Sequence, residues 1–125
     1  MANTITGAPL LTQISARRFT ATIDTGAVVT VSTSAKNIDA VSITNTSNSH
    51  ISYLRIYNFD GSPAATLGSN SPDVILPVSA SGSADYTFDP AIVFGTGIQV
   101  AVVQEAGTAG TTAPANAVTV VLLTQ

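Results

Sequence analysis

Apolar and polar residues alternate with a period of two along most of the chain, the pattern of strands that bury one face. In residues 18–23, Phe19, Ala21 and Ile23 share a face; in 27–32, Ala27, Val29 and Val31 do; in 39–44, Val41 and Ile43 point to a core. The polar cluster Asn45-Thr46-Ser47-Asn48-Ser49 then turns the chain. A fourth strand is expected over 51–59, with Leu54 and Ile56 on one face and Tyr53, Arg55 and Tyr57 on the other, an outward aromatic and cationic stripe. Asp60-Gly61-Ser62-Pro63 reads as a turn, and the run to Pro72 as a long surface loop. Further strands are expected over 73–78, 84–88, 97–104 and 117–124, separated by Ser79-Ala80-Ser81-Gly82-Ser83, by Phe94-Gly95-Thr96-Gly97 and by a small-residue stretch over 106–116. About eight short strands with turns between them predict an all-β chain, a single β-sandwich of jelly-roll type. Residues 1–13 lie outside the alternation and read as an N-terminal arm, which leaves 14–125 as the sandwich domain.

Composition narrows the function classes. The 125 residues are 45% apolar and only 9% charged, with a formal charge of -3. Soluble proteins carry about 25% charged residues, so the deficit is large. Disorder combines low hydrophobicity with high charge and is excluded. Apolar runs such as Val100-Ala101-Val102-Val103 are far too short to cross a bilayer. Without cysteine there is no disulfide, zinc ribbon or thiol nucleophile. The four basic residues are Arg17, Arg18, Lys36 and Arg55, against seven acids. That is too few for the positive stripe of a direct nucleic-acid binder. The first residues lack a basic segment followed by an apolar stretch, so no secretory signal is read and synthesis in a cytoplasm is expected.

Candidate chemistry is thin. His50 sits at a turn beside Ser49, where adjacency builds no nucleophile and base. The acids Asp24, Asp39, Asp60, Asp73, Asp85, Asp89 and Glu105 are scattered, and most adjoin turn residues. Asp85 and Asp89 are the one carboxylate pair to weigh for glycoside hydrolysis, without an aromatic platform around them. Asp60-Gly61-Ser62 lacks the spacing of a calcium loop, and Gly95-x-Gly97 has no helix or basic residue after it to make a phosphate cradle. Asn45-Thr46-Ser47 reads as a chance sequon. No catalytic, metal or cofactor site is predicted, and a structural or binding role follows by elimination.

An ordered series in the second half carries a resemblance. Tyr53-Leu54-Arg55-Ile56-Tyr57-Asn58, then Ser71-Pro72-Asp73-Val74-Ile75-Leu76-Pro77-Val78, Tyr86-Thr87-Phe88, Ile92-Val93-Phe94-Gly95-Thr96-Gly97-Ile98-Gln99-Val100-Ala101-Val102 and Gly110-Thr111-Thr112-Ala113-Pro114 resemble small structural proteins of tailed bacteriophages. Some of these are similar to capsid decoration, or cement, proteins, which sit as trimers on the outside of the head. The resemblance implies a non-enzymatic β-sandwich homotrimer on the outer face of the capsid, with the major capsid protein as partner. On that footing Leu10, Leu11, Arg17 and Arg18 are the candidate shell contacts, against the plainer reading that the two arginines solvate a strand start. Tyr53, Arg55 and Tyr57 are the candidate subunit contacts, against a plain face stacked within one sheet. The alternative is a receptor- or glycan-binding module of a tail fibre or adhesin, which would need exposed aromatic residues in a shallow groove.

Overall fold

In the computed structural model, which describes residues 17–125, the alternating segments become eight strands and no helix. These are β1 (Arg18–Ile23), β2 (Val29–Ser32), β3 (Lys36–Thr44), β4 (Ser52–Tyr57), β5 (Val74–Val78), β6 (Ser83–Phe94), β7 (Ile98–Val103) and β8 (Val118–Thr124). The predicted arm lies outside the described residues.

The strands pair antiparallel in a nested order: β1 with β8, β2 with β7, β3 with β6 and β4 with β5. The chain is therefore one long antiparallel ribbon wound into two layers. Pairings of β3 with β8 and of β4 with β7 join the windings into two four-stranded sheets, β1-β8-β3-β6 and β2-β7-β4-β5.

Their inner faces form the core, in which the residues predicted from the alternation of the first four strands meet those of β7 and β8. Ile23, Val41, Ile43, Leu54, Ile56, Val100, Val102, Val118, Val120 and Leu122 are buried together, and Phe19, Ala21, Val29 and Val31 pack against them. Each fully buried Val, Leu or Ile contributes about 1.5–3 kcal/mol relative to an exposed one. Ala27 is exposed and precedes β2, so it does not share the face of Val29 and Val31.

Strand β6 extends well beyond the predicted 84–88. Its second part pairs Ile92, Val93 and Phe94 with Ile38, Asn37 and Lys36. Pro90 is tolerated because it lies where the β3–β6 register shifts, between the pairs Ile38↔Ile92 and Ala40↔Thr87, and β6 is an edge strand.

The sheets differ on their outer faces. Strand β7 is buried along its whole length and β4 nearly so. The loops over 58–73 and 104–117 fold across that sheet as a roof, and Tyr57 and Ala101 form a small second core there with Ala65, Phe59 and Leu67. On the other sheet, Thr20, Thr22, Asp85 and Thr87 are exposed.

Candidate functional site

The Tyr53, Arg55, Tyr57 stripe shares one face of β4, as expected, but it is not outward. Tyr53 is half-buried, whereas Arg55 and Tyr57 are both 0% exposed. The physical reason is the roof. Arg55 stands opposite the small Ala101 of β7, which leaves space for its stem, and its Nη1 donates to the Gly110 carbonyl at 2.6 Å. Its Nε and Nη2, like the Tyr57 hydroxyl, have no hydrogen-bond partner among the described residues. Gln99, next on that face, clamps the first roof loop: its Oε1 accepts from Ala65 N at 2.8 Å and its Nε2 donates to Thr30 Oγ1 at 2.8 Å. Tyr57 meets Phe59 edge to face, with ring centroids 6.4 Å apart.

The acids of the roof are turned to its own backbone. Asp60 accepts from Ser62 N at 2.8 Å, Asp73 from Asn58 N at 2.7 Å, and Glu105 from Thr112 N at 3.0 Å. These are the charged residues of both roof loops; Asp73 is exposed, and the rest of the outward surface is made of small uncharged residues such as Ala64, Thr66, Ser69, Thr108, Ala109 and Thr111.

Hydrogen bonds from the Thr112 side chain, then from its backbone, hold the Glu105 carboxyl below its usual 4.5, and the Arg55 charge adds to this against partial burial. A carboxyl depressed in the fold contributes stability that is present above its unfolded value and lost as pH falls through the folded one. Acidification below 4.5 is therefore expected to loosen the 104–112 segment. The check is the Thr112 amide protection factor by hydrogen exchange, which falls on acidification in the wild type and stays level in Glu105→Gln.

At the start of β1, Leu10 and Leu11 lie outside the described residues. Arg17 is engaged within the chain: its Nη2 is ion-paired with Asp39, and its Nε donates to the Thr124 carbonyl at 2.6 Å. Gln125 Nε2 donates to the other Asp39 oxygen at 2.6 Å, so Arg17, Asp39 and Gln125 close one corner of the sheet. Arg18 is exposed, makes no ion pair among the described residues, and borders an open groove of about 390 Å³ on the outer face of β1-β8-β3-β6. The two arginines that sit together in sequence thus do different things.

The polar turn after β3 is more than a turn. Asn45 and Asn48 are 0% and 1% exposed. Asn45 Nδ2 donates to the carbonyls of His50 and Ser79, and its Oδ1 accepts from Asn48 Nδ2 and Ser52 Oγ. Asn48 also donates to the Asn116 carbonyl and accepts from Asn116 N. An amide with this inventory satisfies donors and acceptors from three separate segments at once. Its burial leaves the Asn45 sequon inaccessible in the folded chain. His50 is half-buried, with Nε2 accepting from Ala115 N at 3.2 Å and Nδ1 3.0 Å from the Ile51 carbonyl. It is therefore a strap between turns. Asp85 and Asp89 are exposed on β6. No group of three or more His, Asp or Glu side chains among the described residues is placed to hold a metal ion.

Together these features define a β-sandwich with one sheet roofed by loops whose three acids bond their own backbone, and the other carrying an open groove. No protein-family model matches the chain, and no curated protein matches it.

Proposed function

We propose that the chain is a virion structural protein, a homotrimeric decoration or cement protein that binds the major capsid protein on the outside of a phage head and stabilises it. It has no catalytic activity of its own in this reading. The observation that carries it is the roof: a broad surface of Ala, Ser, Thr and Gly whose acids are all used on its own backbone. Charge is depleted in the centres of lasting interfaces, because each buried ion must be stripped of water. A roof of this kind loses little on being covered. The nested ribbon pairing supports reading the sandwich as a jelly roll, one of the architectures of viral shell components.

The Arg55 and Tyr57 of the subunit-contact assignment act from beneath, holding the roof, and the contact itself passes to residues such as Ala64 and Thr108. A cement protein stabilises the shell by binding the closed lattice and not the opened one. Heads that lack the chain are expected to release DNA at a lower temperature than heads to which the purified protein is restored. Ala64→Glu with Thr108→Glu is expected to abolish that restoration while the protein stays folded by circular dichroism. Equal release temperatures with and without the protein would sink the proposal.

The glycan-binding alternative is less well supported. It needs aromatic faces open to solvent, whereas all three tyrosines and four phenylalanines are buried or half-buried.

A further inference from the structure

The groove on the outer face of β1-β8-β3-β6 carries a cation and an anion at opposite corners. Arg18 on β1 stands opposite Leu123 on β8, which stands opposite Ala40 on β3. Two residues along the strands, Val121 on β8 stands opposite Ser42 on β3, and Ser42 opposite Asp85 on β6. Arg18 and Asp85 are exposed, and neither has an ion-pair partner among the described residues. The four floor residues between them, Leu123, Ala40, Val121 and Ser42, are half-buried and uncharged.

This layout has a centre. With strands about 4.8 Å apart and a rise of about 3.4 Å per residue, each charge lies roughly 8 Å from the point where the four floor residues meet. A second copy can be turned face to face about a twofold axis through that point, lying in the plane of the face and across the line that joins the charges. Each Arg18 then stands over the Asp85 of the other copy, and the apolar floor of one covers that of the other. Such a contact is isologous and closes after two copies. Like charges at the two corners would instead repel a second copy. The arrangement is that of a small interface: charge at the rim to set register, and Val121 and Leu123 at the centre to be covered.

We propose that this face is an interface between two copies of the chain, with Arg18 of each paired to Asp85 of the other. It goes beyond the capsid proposal and uses the sheet face opposite the roof.

The test isolates this face by placing Ala64→Glu and Thr108→Glu on the roof, so that association read by sedimentation velocity comes from the groove. In that background the full-length chain is expected to sediment as a dimer. Arg18→Asp alone leaves two acids on each face, and Asp85→Arg alone leaves two bases. Each is expected to weaken dimerisation about tenfold or more. An equimolar mixture of the two single variants is expected to restore it, because each face then meets its complement, which a misfolded variant could not do. A monomer in the parent background, single variants that dimerise as well as the parent, or a mixture that stays apart overturns the proposal. The release temperature of heads reads the roof and this mass reads the groove, so a failure of one is distinguishable from a failure of the other.

Discussion

Gly97→Ala is expected to lower the unfolding free energy by about 3 kcal/mol or more, while Gly95→Ala, two residues away in the same turn, changes it by about 0.5 kcal/mol or less. A Cβ on Gly97 would stand 2.7 Å from the Ser32 carbonyl oxygen, 2.7 Å from the Asp60 Cα and 2.8 Å from the Phe59 oxygen. All three are backbone atoms, from the end of β2 and the start of the roof, and none can rotate away. A Cβ on Gly95 meets nothing within 4 Å. The turn between β6 and β7 is also tied to the roof by Asn58, whose Oδ1 accepts from Thr96 N at 2.9 Å. Urea unfolding of the two variants measures the contrast, with unchanged m-values indicating that stability alone moved. Equal midpoints for the two would mean that the three segments part without cost.

Asn48→Ala is expected to cost a similar amount, about 3 kcal/mol, through a different mechanism. The change removes no large apolar contact. It strips the partners from Asn116 N (2.7 Å) and the Asn116 carbonyl (2.9 Å) just ahead of β8, and one partner from Asn45 Oδ1 (2.9 Å). These bonds to Asn116 are part-buried and the one to Asn45 is buried, and a polar group left unpaired away from water costs about 1–3 kcal/mol. Asn48→Asp keeps the shape but sets a carboxylate against two acceptor oxygens, so it is expected to be no better tolerated than alanine. Ser49→Ala, on an exposed neighbour, is expected to be near neutral. Thermal midpoints of the three variants check the order. Near-neutral Asn48→Ala would show that water replaces the amide at no cost.

Much of the sandwich was legible in the chain because strand pairing repeats a local rule. Val41, Ile43, Leu54 and Ile56 alternate with polar neighbours, and all of them are in the core. Strand ends were read less well where one residue type carries two meanings. Pro90 suggests an end to β6, yet the strand resumes beyond it because an edge strand with a register shift needs no donor there. The turn at Asn45-Thr46-Ser47-Asn48-Ser49 was placed correctly in sequence, while its burial depends on Ser79 and Asn116, which arrive from far along the chain.

The Arg55 stripe marks the boundary between local and tertiary information. Period two says that Tyr53, Arg55 and Tyr57 share a face and that Leu54 and Ile56 share the opposite one. It says nothing of what lies over the first face. Two loops without periodicity decide that, brought there by the Gln99 clamp on Ala65 and the Arg55 bond to Gly110.

By itself, then, the sequence determined an all-β chain of about eight strands, most of the core residues of the first four of them, and a composition poor in charge, since these follow from side-chain alternation and residue counts. Only the tertiary structure decided that Arg55 and Tyr57 lie inside, that Gly97 is a point of backbone contact, and that one sheet is roofed while the other is grooved. Each of those depends on segments distant in sequence meeting in space, and no local pattern encodes which loop will cover which face.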